Sequence, residues 1–383
     1  MEGVDKFLKK QAEAGLLRNL KPVSRRYQGR IIVKDKEYID FSSNDYLGLS
    51  AHPRLIRAAK DAIDEFGVSS SASRLLSGDL ILHHKLEEKI AQFKKKDTAL
   101  VFNSGYQGNL GAISALFTKD DCIFSDRLNH ASIIDGILLS GAKSFRFRHN
   151  DAGHLESLLK KERVKGRKAL IITETVFSMD GDKCLLKDLV RLKEKYNCEI
   201  MVDEAHATGI FGKNGSGVVE EEGLWEQVDF IMGTFGKALG GFGAYLAASG
   251  KTVHYLINTC RGFIYSTALP PGIISANLEG IGVVEDEPSR REILLKSARY
   301  FRDALKASGF NVKGDSQIVP VIVGDNLKAV EFAGRLQEKG YWILPIRPPT
   351  VPRGEARLRF SLTFYHTKEI LQKLIDDIRE IKI

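Results

Sequence analysis

Five short apolar runs, each ending in small or polar residues, constrain this chain more than any other feature. They are TALVFNSG, DCIFSD, KALIITET, EIMVDE and VDFIMGTFG, and they alternate with amphipathic stretches between about Asp40 and Pro271. Continuous apolar runs of this length predict strands buried on both faces. Their alternation with helical patterns predicts an α/β layer with a mostly parallel sheet. Such sheets bind ligands at the carboxyl ends of their strands, where Ser104, Asp126, Glu174, Asp203 and Thr234 fall. Further on, VVEDEPSRREILLKSARYFRDALKASGF has helical spacing. The strand-like SQIVPVIVGD and ARLRFSLTFYH then flank another helix, with a last helix after them, which predicts a smaller α+β domain. The expected division is an N-terminal helical segment over 1–40, with a helix around Asp5 to Asn19, a large domain over 41–275 and a small C-terminal domain over 276–383.

With 383 residues, 43% of them hydrophobic, the chain can bury a large core. No apolar run approaches the roughly 18–20 residues of a membrane span, and the first twenty residues interleave charges with leucines. A cytoplasmic location is therefore expected. Cys122, Cys184, Cys198 and Cys260 lie far apart without a C-x-x-C pair, and H-E-x-x-H is absent, so neither a disulfide framework nor a metal site is expected. The net charge of +8 suits an anionic partner, but runs such as Lys94-Lys95-Lys96 sit in charge-mixed helical contexts and read as solvated faces.

The stretch EIMVDEAHATGIFG contains the letters that mark a class of RNA helicases. A P-loop ATPase also needs G-x-x-x-x-G-K-[ST] ahead of that stretch. The nearest match, YLAASGKT, follows it and places Tyr245 where the first glycine is required, so Gly250-Lys251-Thr252 reads as a surface turn. A different chemistry fits better. Lys237 in MGTFGKALGGFGAYLA follows a predicted buried strand among glycines that let a planar ring approach, as a Schiff-base lysine requires. Asp203, on a rigid strand end, could keep a pyridine nitrogen protonated, with His206 beside the neighbouring ring oxygen. NSGYQGN offers amide donors at a helix start for a phosphate. Asp203, Lys237 and this turn together predict a pyridoxal 5'-phosphate site.

The segments DFSSNDYLGLS, NSGYQGNLGAISAL, SDRLNHASIIDG, TETVFSMDGD, MVDEAHATGIFG, TFGKALGG, YSTALPP and IRPPTVPRGEARLRFSLTFYH, in this order, resemble the α-oxoamine synthases. These are fold-type-I pyridoxal-phosphate enzymes that join an amino acid to an acyl thioester with loss of carbon dioxide. The resemblance implies that Lys237 bonds to the cofactor and later removes the substrate Cα proton, that Asp203 pairs with the pyridine nitrogen, and that His130 stacks on the ring. It places Ser178 and His206 at the ring hydroxyl, Gly105, Tyr106 and Thr234 at the phosphate, and Glu174 behind His130. Ser266 and Thr267 would reach the phosphate of a second subunit, implying a homodimer with shared active sites. Asn44 would lie near the bound amino acid, and Arg359 would take its carboxylate, with Arg357 on the same strand face as a competitor. VSSSASR carries less glycine than is usual in relatives.

Members of the family differ in acyl donor. IRPPTVPRG, which contains Thr350, resembles the version in the branch using L-alanine and a pimeloyl thioester, carried on coenzyme A or an acyl carrier protein. A pimeloyl chain ends in a carboxylate, for which Arg18 and Arg347 are the candidate cations. Glycine with acetyl-CoA is the alternative substrate pair.

Overall fold

The computed structural model describes residues 2–164 and 166–381. The chain forms two compact units. The larger takes Leu49–Phe177 and Lys183–Arg291; the smaller takes the chain up to Gly48, Ser178–Asp182 and everything from Glu292 onward.

The five apolar runs become strands of one seven-stranded sheet in the larger unit, in the order Thr98–Phe102, Ala244–Ala248, Phe230–Thr234, Glu199–Asp203, Ala169–Glu174, Cys122–Asp126, Lys143–Phe147. Ala244–Ala248 runs antiparallel to both neighbours, and the other neighbouring pairs are parallel. The connection from Thr234 to Ala244 explains the exception. It is too short for the dozen or more residues a parallel crossover needs, so the chain must return antiparallel. That return loop carries Lys237. On one face, Leu100, Phe102, Ile113, Ile133, Met201, Met232 and Leu246 share a buried cluster. Gly250-Lys251-Thr252 is not a surface turn: it opens the helix Gly250–Thr259, where Ser249 Oγ accepts from Thr252 N. Tyr245 is buried in the antiparallel strand, so no phosphate loop exists there.

Next to Asp203, Glu204 forms a buried ion pair with Lys94, the last residue of the helix Ile81–Lys94. Lys94 Nζ donates to Glu204 Oε2 at 2.7 Å and to Thr208 Oγ1 at 3.0 Å, and also to the Ser216 carbonyl. Glu204 Oε1 accepts from Val219 N at 2.9 Å. Burial pulls the Lys94 pKa down, but the charge of Glu204, with Tyr245 and the hydrogen bonds to both, together more than offset it, and the value stands above the ordinary one.

In the smaller unit, the N-terminal segment is helical only over Glu2–Glu13; the expected helical reading to residue 40 does not hold. Arg25–Tyr27, Arg30–Val33 and Lys36–Asp40 are antiparallel strands, joined by Tyr341–Trp342 lying parallel to the third. Ile31, Ile32 and Val33 favour the strand, and Lys34 and Asp35 both take positive φ, the two-residue hairpin geometry. A second sheet pairs Ile318–Gly324 and Pro345–Ile346 with Ala356–Ser361. The helices Ser289–Ala307, Asn326–Glu338 and Lys368–Glu380 match the expected helical runs. Among the described residues, no helix is long and apolar enough to cross a membrane.

His366 lies buried in this unit, its ring centroid 4.1 Å from that of Phe41 and its Nδ1 accepting from Thr363 N at 3.1 Å. Burial pushes its pKa from 6.5 to about 3. The folded state therefore keeps it neutral where the unfolded chain binds a proton. Stability on this account is full above pH 6.5 and is lost as pH falls towards 3, by at most about 1.4 kcal/mol per unit. His366→Gln is expected to flatten the acid limb of an unfolding-free-energy profile across that window; an unchanged slope would contradict the buried neutral ring.

Candidate active site

At the carboxyl edge of the large sheet, the return loop brings Lys237 Nζ to 2.8 Å from His206 Nε2. Gly240 in this loop has φ +67°, and a Cβ there would meet the Leu49 backbone at 2.5 Å, so no other residue fits without displacement. Thr234 Oγ1, at the preceding strand end, donates to Gly243 O at 2.7 Å and accepts from Gly236 N at 3.2 Å, which ties the loop shut beneath the lysine.

Asp203 is 7% exposed. Its Oδ1 accepts from Ala205 N at 2.9 Å and its Oδ2 from Asn109 Nδ2 at 2.8 Å. Both partners are neutral, and among the described residues no Lys, Arg or His forms an ion pair with it. A buried carboxylate without a cation is costly. His130 caps the helix Ala131–Ser140 through its own ring nitrogen, with Tyr106 edge-on at 6.3 Å between ring centroids. Burial lowers the His130 pKa; Asp203 opposes that shift and Lys237 adds to it. Glu174 is buried at its strand end, its N–H donating to Asn129 Oδ1 at 3.1 Å.

The first strand of the sheet leads into the helix Gly105–Leu116. Ser104 Oγ caps Gln107 N, which leaves the first-turn amides of Gly105 and Tyr106 at a positive helix end. A Cβ on Gly105 would meet nothing within 4 Å, so the space beside this residue is open. The Tyr106 hydroxyl donates to Asp135. Ser266 Oγ accepts from Gln107 Nε2 at 2.6 Å, and Thr267 O from Asn103 Nδ2 at 2.9 Å, so both expected phosphate contacts lie beside this helix start in their own chain.

The smaller unit gathers a second set. Arg359 donates through Nε to Ser178 O, through Nη1 to Ser361 Oγ, through both Nη atoms to Asn44 Oδ1 at 3.3 Å, and through Nη2 to Tyr46 OH at 3.2 Å. Every acceptor is neutral, although the side chain is buried. Arg357, two residues away on the same strand, is already neutralised: it pairs with Asp180 at 2.9 Å and Glu355 at 2.7 Å. Of these two arginines, Arg359 forms no ion pair with a carboxylate among the described residues. Arg18 Nη2 donates to Thr350 Oγ1 at 3.4 Å, and Arg347 Nη1 to Gly15 O. Burial, and then the Arg18 charge, lower the Arg347 pKa. Both arginines line a groove of about 640 Å³ with Leu17, Val330, Leu344 and Ile346. Sequence reasoning missed Tyr46, Gln107, Asn109 and Ser132 as residues, although DFSSNDYLGLS, NSGYQGN and LNHAS contain them.

Comparison with known proteins bears on this arrangement. The 8-amino-7-oxononanoate synthase of Geobacter sulfurreducens is 47% identical over 371 residues, covering 96% of this chain and 95% of that protein. The enzyme of the same name from Geotalea daltonii is 45% identical, covering 96% and 94%. Among solved structures, a serine palmitoyltransferase from S. paucimobilis with a bound PLP–myriocin aldimine superposes with TM-score 0.94 at 31% identity, over 98% of this chain and 96% of that one. The 8-amino-7-oxononanoate synthase of Francisella tularensis gives 0.78 at 32% identity, over 90% and 97%. The family model described as aminotransferase class I and II matches residues 36–378, and the chain belongs to that family, with the α/β fold of its pyridoxal-phosphate transferases.

Proposed function

We propose that this chain is a pyridoxal-phosphate-dependent acyltransferase that condenses L-alanine with a pimeloyl thioester to 8-amino-7-oxononanoate, releasing the thiol and carbon dioxide. The observation that carries the cofactor is the buried carboxylate of Asp203, which has only neutral partners. The near-full-length relatives of 45–47% identity carry the substrates.

The residues present fit the cofactor. Asp203 would hold its protonated ring nitrogen, the Gly105 and Tyr106 amides with Thr234 its phosphate, and His206 and Ser178 its ring hydroxyl. Ser266 and Thr267 would add phosphate contacts from a partner subunit in a homodimer. When bound, pyridoxal phosphate supplies an electron sink for the carbanion formed at the substrate Cα. Lys237 would hold the cofactor, and its Nζ, once free, would take the Cα proton. The substrate Cα attacks the thioester carbon, the thiolate leaves, and the β-keto acid loses carbon dioxide. Lys237 finally returns a proton to Cα. Arg359 and Asn44 orient the alanine carboxylate. The groove lined by Arg18 and Arg347 suits an acyl chain ending in a carboxylate, with Thr350 orienting Arg18.

Thiol release from pimeloyl-CoA with L-alanine, measured beside acetyl-CoA with glycine, tests the reading. Strong release from the first pair alone is expected; preference for the second pair would overturn the pimeloyl assignment while leaving the cofactor site intact. Arg359→Lys is expected to raise the KM for the amino acid roughly 10- to 100-fold through loss of a charge-assisted fork, as steady-state kinetics would show.

A further inference from the structure

Behind His130, a run of buried hydrogen bonds leads to Asp203. Asn109 is 1% exposed and Ser132 fully buried. Asn109 Nδ2 donates to Asp203 Oδ2 at 2.8 Å and to Ser132 Oγ at 3.0 Å. Ser132 Oγ lies 2.8 Å from His130 Nδ1, and Ser132 N donates to that same nitrogen at 3.2 Å.

Proton bookkeeping gives this run one direction. The Asn109 amide cannot be reversed, because its oxygen would then face the Asp203 carboxylate. In the orientation found, Asn109 Oδ1 is buried without a partner. Such an atom is costly, a penalty borne while both amide protons are spent on Asp203 and Ser132. Ser132 Oγ accepts one of those protons, so its own hydroxyl proton is left to point at His130 Nδ1. Two donors, that hydroxyl and the Ser132 amide, thus converge on one nitrogen, which must carry a lone pair.

We infer that Asn109 and Ser132 are positioning residues that hold His130 as its Nε2–H tautomer and tie its ring to the carboxylate of Asp203. The Nε2–H then faces away from the relay as a fixed donor, suited to the carbonyl oxygen of an acyl thioester as negative charge develops there. Protonation at Nδ1 is opposed because both donors already point at it. Burial of His130 acts in the same direction. The inference rests on the proposed placement of His130 over the cofactor, but its main readout is independent of the substrates.

The test uses pyridoxal-phosphate-loaded enzyme labelled with ¹⁵N in its nine histidines, with His130 assigned from the signal lost in His130→Gln. At pH 8, wild type is expected to show a protonated Nε2 and an unprotonated Nδ1 for His130. In Ser132→Ala and Asn109→Ala, an Nδ1–H population is expected to appear. The kcat is expected to fall on the order of tenfold with little change in KM, the scale met when a partner orienting a histidine is removed. Ser132→Thr, which keeps the hydroxyl, is expected to restore both. An Nδ1–H tautomer in wild type overturns the relay even if the variants fail to fold, as does a kcat loss with the tautomer unmoved. If wild type releases no thiol from either substrate pair, the proposed reaction fails, while the tautomer result still decides the relay.

Discussion

Lys237→Ala lowers thiol release by a factor on the order of 10⁴ or more, the scale of loss when a reacting side chain is removed outright. The size follows from the number of tasks one nitrogen performs. In the proposed reaction it would hold the cofactor, yield to the amino acid, take the Cα proton and return one, and its Nζ lies 2.8 Å from His206 Nε2. Asp203 and the amides at Gly105 and Tyr106 remain, so the variant should still bind pyridoxal phosphate. Equilibrium dialysis alongside the thiol assay separates the two effects. Turnover above about one percent of wild type would remove Lys237 from the chemistry.

The second large effect concerns stability. Lys94→Met leaves Glu204 charged, buried and without its cation, at a cost of about 3–5 kcal/mol. The double variant Lys94→Met/Glu204→Gln removes both charges. It keeps an acceptor for Val219 N and leaves no unpaired charge, while Thr208 Oγ1 and Ser216 O lose the donor that Lys94 now supplies. It is expected to recover most of the loss. Urea unfolding of the three proteins decides it: a single variant within about 1 kcal/mol of wild type would mean that the pair contributes little. A double variant as unstable as the single would mean that packing, not charge, dominates.

The sheet and its functional edge were legible because buried strands announce themselves locally, as in KALIITET and EIMVDE. Lys237 and Asp203 could be singled out because one lies just past a strand and the other ends one. What sequence could not supply depended on distant partners. Arg357 and Arg359 share a strand face, and only Asp180 and Glu355, packed against the first, show which is already neutralised. Asn109 meets Asp203 across 94 positions, and nothing in NSGYQGNLG marks that asparagine over its neighbours. The antiparallel course of Ala244–Ala248 follows from the length of a loop, which an apolar pattern does not record. The hairpin before Asp40 was hidden because its strands are short and half exposed, so neither periodicity is strong.

The pairing of Lys36–Asp40 with Tyr341–Trp342 has a consequence for synthesis on the ribosome. The hairpin emerges some 300 residues before the strand that covers its edge is made. At bacterial and eukaryotic elongation speeds this is a wait of roughly 15–60 s. Throughout it, Lys36–Asp40 presents an unpaired backbone edge to whatever else is nearby. The larger unit, complete once Arg291 is made, can close first. Crowded overexpression should therefore trap chains through their first forty residues, and slower initiation or a holding chaperone should raise the soluble yield more than any change to the larger unit's core.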